Sequence, residues 1–190
     1  AGVSVAGPKS REVLNNCVVD SSVVTNNNLP FMGVTSTFLK GKIPCRIARI
    51  SFSGELAFEV YVKSDFANTM MDLLWENTKK NDGCLYGLEA LGALRVEKGH
   101  VTAAELDGRV TIDDAGLSKM ASTKKSYIGS AMRKRGVLKN NDREILVGFF
   151  PANLKETFNA GTIVCEKNNI KGQGIGTVSY THLRAHETAS

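Results

Sequence analysis

The chain has no apolar run that approaches membrane-spanning length, no Cys-x-x-Cys pair and no Gly-x-Gly-x-x-Gly turn. The first absence excludes a spanning helix, which needs about 20 consecutive apolar residues. The four cysteines, at 17, 45, 84 and 165, are scattered. That spacing supplies neither a zinc site nor a disulfide framework, and reads as reduced thiols in a cytoplasmic protein. Without the glycine fingerprint this stretch of chain has no dinucleotide-binding turn. Strong charge is missing too: the formal net charge is +5 over 190 residues. The densest basic clusters are Lys124/Lys125 and Arg133/Lys134/Arg135. No aromatic residues interleave them, as stacking on nucleic acid requires, so they fit a solvated surface or a small anionic ligand. There is also no initiator methionine and no signal peptide. Ala1 falls inside what reads as a strand, and further chain is expected before it.

What is present is ordinary globular material, 42% hydrophobic and 23% charged, enough for one large domain or two small ones. Val3 to Ala6 reads as the end of a strand, and Gly7-Pro8 opens a short helix through Cys17. A polar loop follows from Asp20 to Asn28, then Leu29-Pro-Phe-Met-Gly33, an apolar turn that is either a buried plug or ligand-facing. Two strands are expected at 35–40 and 43–52 around Gly41-Lys42, with a bulge near Ile47-Ala48 where the apolar phase flips. Residues 57–62 alternate: Phe58, Val60 and Val62 share one face, and Ala57, Glu59 and Tyr61 the other. Ser64 is a candidate N-cap for a helix to Lys79 that buries Phe66, Met70, Leu73 and Leu74. A second helix spans 88–98 and stops at Gly99, with Leu88, Leu91 and Arg95 on one face. Beyond Lys119 a basic helix is expected at 127–135, and strands at 144–150, 161–166 and 172–177. The last segment, Val178-Ser-Tyr-Thr-His-Leu-Arg-Ala-His-Glu-Thr188, reads like one frame of a DNA-library adapter. Residues 178–190 are therefore expected to be foreign to the fold and to pack against nothing, which sets aside a metal reading of His182, His186 and Glu187.

The chemistry concentrates in two stretches. Ile50-Ser-Phe-Ser-Gly-Glu-Leu-Ala-Phe-Glu-Val60 puts a carboxylate, Glu59, on the polar face of a strand, and Arg95 lies on the helix that follows Tyr86-Gly87. A carboxylate so placed accepts two parallel N–H donors at once, which suits a flat polar heterocycle. Glu55 in the preceding turn is expected to satisfy turn N–H groups.

The wording Phe52-Ser-Gly-Glu-Leu-Ala-Phe-Glu59 resembles the Tyr-Thr-Gly-Glu-x-x-x-Glu motif of the glycine cleavage T-protein family, the folate-binding aminomethyltransferase module. That module recurs in sarcosine oxidase alpha subunits and dimethylglycine dehydrogenase. The resemblance covers roughly residues 3 to 177. Leu29-Pro-Phe-Met-Gly33, Ser51 to Glu59, Leu94-Arg-Val-Glu-Lys-Gly99 and Asp107-Gly-Arg-Val-Thr-Ile-Asp-Asp-Ala-Gly-Leu117 occur in the same order and look closer to the sarcosine oxidase branch. Two positions depart from the family: Phe52 stands for its tyrosine, and Leu91 for the arginine that glycine-cleavage members carry in Ala-Arg-Asp-Ser-Leu-Arg.

The resemblance implies an α+β fold, an antiparallel sheet with two packed helices over residues 1–118, followed by a linker helix and an incomplete C-terminal β-barrel over 119–177. It implies tetrahydrofolate as cofactor, with Glu59 gripping the pteridine and Phe52, Tyr61, Arg95 and Glu55 around it. The family's acid–base aspartate is expected upstream of this stretch, so no catalytic residue is assigned. The implied function is capture of the imine or formaldehyde from sarcosine oxidation as methylene-tetrahydrofolate. The alternatives are the aminomethyltransferase of glycine cleavage and a non-catalytic folate-binding or subunit-interaction module. The resemblance also implies folate and other sarcosine oxidase subunits as partners, with FAD, FMN and NAD expected only in missing parts of the chain or in partner subunits; neither nucleic acid nor a membrane is expected.

Overall fold

The computed structural model describes residues 1–106, 108–140, 142–153, 156–166 and 174–179. The chain divides into two compact units, Ala1–Lys98 and Gly99–Ser190. Among the described residues, no helix is long and apolar enough to cross a membrane.

The first unit is a four-stranded antiparallel sheet with helices on one face. Its elements are β1 (Gly2–Ala6), α1 (Ser10–Cys17), β2 (Val34–Leu39), β3 (Ile43–Ala48), β4 (Ala57–Val62), α2 (Ala67–Lys80) and α3 (Leu88–Lys98), with sheet order β1-β4-β3-β2. The β2–β3 hairpin turns through two left-handed residues, Gly41 at φ 82° and Lys42 at φ 60°. Period-2 alternation sorts the strands into two faces. Ile43, Cys45 and Ile47 of β3 and Phe58, Val60 and Val62 of β4 point inward, where Val13, Leu14 and Cys17 of α1 and Met70 and Leu74 of α2 complete one apolar core. Phe58 is fully buried, and the Arg11 guanidinium lies 5.1 Å from its ring centre.

The helices match their spacing. α1 and α3 occupy the expected segments, and α3 ends at Gly99, whose φ of 73° is the left-handed conformation that stops a helix. At α2 the expectation needs correction: residues 64–66 form a 3-10 turn, the helix proper starts at Ala67, and Ser64 does not cap it. The expected bulge is also absent. β3 pairs with β2 and β4 in unbroken register through Val34↔Ala48 and Ala48↔Glu59. The phase flip marks the end of the strand, and Ile50 and Phe52 belong to the loop that follows. The Leu29–Gly33 turn divides: Leu29 is buried, whereas Phe31 and Met32 are exposed. Arg49 clamps this turn by donating from its guanidinium to the Leu29 carbonyl (3.1 Å) and from its backbone N–H to Gly33 O (2.9 Å).

The second compact unit begins at Gly99. Residues 109–118 are tied forward by ion pairs. Asp113 accepts from Arg133 Nε (2.7 Å) and Nη2 (2.6 Å), and Asp114 accepts from Arg143 Nε at 3.0 Å. Side-chain exposure of Asp114 is only 8%. The basic helix expected at 127–135 is instead a pair of 3-10 turns at Met132–Lys134 and Gly136–Lys139. The strand expected at 144–150 does not form, and Ile145, Val147 and Phe150 are exposed. Among the described residues the expected barrel reduces to one ladder, β5 (Ile163–Val164) with β6 (Gly176–Thr177). That ladder extends into the segment expected to pack against nothing. Val178 is 5% exposed, donates to Thr162 O (2.9 Å) and accepts from Gly161 N–H (2.8 Å). His182, His186 and Glu187 lie outside the described residues.

Candidate functional site

The sheet has helices on one face, and its other face carries the candidate site. Along β4 the outward residues are Ala57, Glu59 and Tyr61, as the alternation predicts. Register fixes what flanks them. Glu59 pairs with Ser4 on β1 and with Ala48 on β3, and Tyr61 pairs with Gly2 and with Arg46. Glu59 therefore stands half-buried between two small residues, and no bulky neighbour covers it from either adjacent strand. Tyr61 Oη donates to Glu59 Oε2, two residues along the same face. This bond raises the Tyr61 hydroxyl above its ordinary pKa, because a proton shared with a carboxylate is harder to remove.

The loop before β4 closes on itself. Ser51 Oγ accepts from the Gly54 N–H at 2.9 Å, so Ser51 takes the turn-capping role expected of Glu55, whose side chain is exposed. Gly54 has φ 93°, and a Cβ there would lie 2.6 Å from Lys98 Cδ. The left-handed φ is what favours glycine, since the Lys98 side chain can move aside, and the proximity sets the loop near the C-terminal end of α3. The proximity is to Lys98, beyond the 88–95 stretch of α3 that carries Leu88, Leu91 and Arg95. Arg95 is buried at 6% exposure, and Phe52 is 38% exposed. The apolar stripe expected on α3 does not hold at its start, since Leu88 is 85% exposed.

Two features were not read from sequence. Ser53 is 9% exposed, and its Oγ is buried without a hydrogen-bond partner. Such a hydroxyl fits a position where an incoming polar group completes the bond. Gly2 lies directly beneath the Tyr61 ring, and a glycine inside a strand is the one available sign of such close approach. Among the described residues, no group of three or more His, Cys, Asp or Glu side chains could hold a metal ion. The four cysteines are free thiols, and burial pushes Cys17 and Cys45 up to about 11.

A family model described as the GCVT N-terminal domain matches residues 1–125. The chain is 37% identical over 169 residues to sarcosine oxidase subunit alpha of Rhizobium meliloti (strain 1021), covering 88% of this chain and 17% of that protein. It is 31% identical over 176 residues to sarcosine oxidase subunit alpha of Corynebacterium sp. (strain U-96), covering 92% and 18%. An aminomethyltransferase of Halothermothrix orenii is 31% identical over 152 residues, covering 77% and 40%. The chain thus spans less than a fifth of the length of the two oxidase subunits.

Proposed function

The chain belongs to the GCVT N-terminal domain family, and from that premise we propose that it is the tetrahydrofolate-binding one-carbon transfer module of a sarcosine-oxidase-type alpha subunit. The observation that carries the reading is Glu59, half-buried on the outer face of the sheet between Ser4 and Ala48 in the Ser-Gly-Glu frame of the family motif. Its carboxylate accepts the ring N–H and exocyclic amine of the pteridine, Phe52 lends an aromatic wall, and the Ser53 hydroxyl supplies a polar partner. The bound folate supplies the nitrogen nucleophile that captures the one-carbon unit released by amine oxidation. The role of this chain's residues is to orient that ring. Arg95, buried on α3, and Glu55, exposed in the loop before β4, complete the proposed set.

An oxidase module is favoured over a glycine-cleavage aminomethyltransferase by Leu91, which stands where those members carry an arginine. The share of this chain that is matched points the same way: 88% and 92% for the two oxidase subunits against 77% for the aminomethyltransferase.

In the full-length protein, Glu59→Gln replaces one acceptor with a donor that opposes a pteridine N–H. Loss of a charge-assisted hydrogen bond is about 1.5–3 kcal/mol, or roughly ten- to hundred-fold in tetrahydrofolate affinity by calorimetry. Amine oxidation is expected to persist while formaldehyde is released in place of methylene-tetrahydrofolate. Unchanged affinity together with a normal methylene-folate yield would rule the reading out.

A further inference from the structure

We propose that Tyr61 is a positioning residue that sets the carboxylate of Glu59 for its ligand, and that Gly2 exists to let the Tyr61 ring lie where it can do so. The inference rests on the reading of Glu59 as the ligand anchor and adds to it the two residues that aim it.

A glutamate on an open sheet face has three side-chain torsions and, left alone, would sample many of them. Here one oxygen is taken: Tyr61 Oη donates to Glu59 Oε2. An ionised carboxylate has about four acceptor positions, so one bond from tyrosine leaves the rest directed to the open face. The freedom that a ligand would otherwise have to remove is already removed. Tyrosine suits the task because its ring is rigid and has only two torsions of its own.

The ring is in turn fixed by what is missing beneath it. Gly2 is the register partner of Tyr61 across β1 and β4. A Cβ at Gly2 would stand 2.8 Å from both Cδ1 and Cε1 of the ring, closer than real Cβ atoms approach any neighbour. Its backbone lies outside the left-handed region, so what glycine supplies here is space: a Cβ would displace the ring from this position. Tyr61 is 42% exposed, and its hydroxyl reaches Glu59 two residues back along the strand.

The test is a double-mutant cycle in the full-length protein, with tetrahydrofolate affinity read by calorimetry and the unfolding midpoint read alongside. Tyr61→Phe keeps the ring and removes the hydroxyl. It is expected to weaken binding about three- to ten-fold with the midpoint unchanged. In the Glu59→Gln background the same change is expected to cost nothing further, because there is no longer a carboxylate to aim. Gly2→Ala, which keeps the hydroxyl but displaces the ring, is expected to weaken binding in the same direction. If Glu59→Gln weakens binding but Tyr61→Phe is silent, or adds its effect in full to Glu59→Gln, the positioning role is overturned and the Glu59 reading stands. If Gly2→Ala leaves affinity untouched, the role of Gly2 is overturned. If Glu59→Gln is itself silent, the ligand anchor falls and the inference falls with it.

Discussion

A buried hydroxyl with no partner costs about 1–3 kcal/mol of stability, and Ser53 Oγ is such a group. Natural chains keep such a defect where something else completes the bond. Ser53→Ala is therefore expected to raise the stability of the first unit by about 1 kcal/mol in urea unfolding while weakening tetrahydrofolate binding in the full-length protein. Opposite signs for stability and affinity would mark the hydroxyl as a ligand contact. At this scale the sequence was legible where a period exists and silent where it does not. The face of Glu59 followed from strict alternation over 57–62. Ser53 lies in a Ser-Gly turn, where serine ordinarily faces water, and nothing in its neighbours announces that the loop folds it inward. Glu55 was misread for the related reason that Ser51, three residues before Gly54, reached the turn N–H instead.

Between the strands and the two packed helices, Phe58 is the central piece. Its side chain is fully buried, its register partner is Val5, and Arg11 covers one side of its ring. Truncation leaves a cavity in a core that can collapse only partly, so Phe58→Ala is expected to cost about 3–5 kcal/mol in chemical denaturation. A neighbouring outward change such as Ser36→Ala is expected to stay within about 0.5 kcal/mol. The elements of this unit were legible because each carries its own signal: alternation for β4, a 3.6-residue apolar stripe for α2, and a terminal glycine for α3. Where two signals met at 47–52, strand continuation was inferred, yet the register shows that the strand had already ended. The segment 144–150 shows the converse error. Its β-branched and aromatic residues have strand propensity, but no partner strand lies beside them among the described residues, and propensity alone does not make a sheet.

For the molecule as a whole, the two units are held by different forces and respond differently to acid. The first unit is an apolar core. In the second, consecutive aspartates each hold an arginine: Asp113 sits at about 2, and Asp114 is also held below the ordinary carboxylate range, in both cases chiefly by the arginine hydrogen bond. A carboxyl depressed on folding stabilises above its unfolded pKa of about 3.9 and loses that contribution as pH falls through the folded value. Stability of residues 109–118 is thus expected to be full at neutral pH and to decline from about pH 4 towards 2. Amide exchange in this segment reads the loss, with Trp75 fluorescence reporting the first unit separately. The partly exposed Asp113 pair is expected to weaken further in high salt. None of this was visible in the motif Asp107 to Leu117, which shows the acids but not which distant arginines they meet.

The placement of β1 has a bearing on the order in which the chain matures. The β2–β3 hairpin can zip from its own turn, whereas β1 must wait for β4 to be present before Gly2 can face Tyr61. Pairing across so long a loop carries a larger closure entropy and comes late. On the proposed reading of Glu59 the ligand anchor lies on that same seam, so ligand affinity is expected to appear only after residues 57–62 have paired with β1.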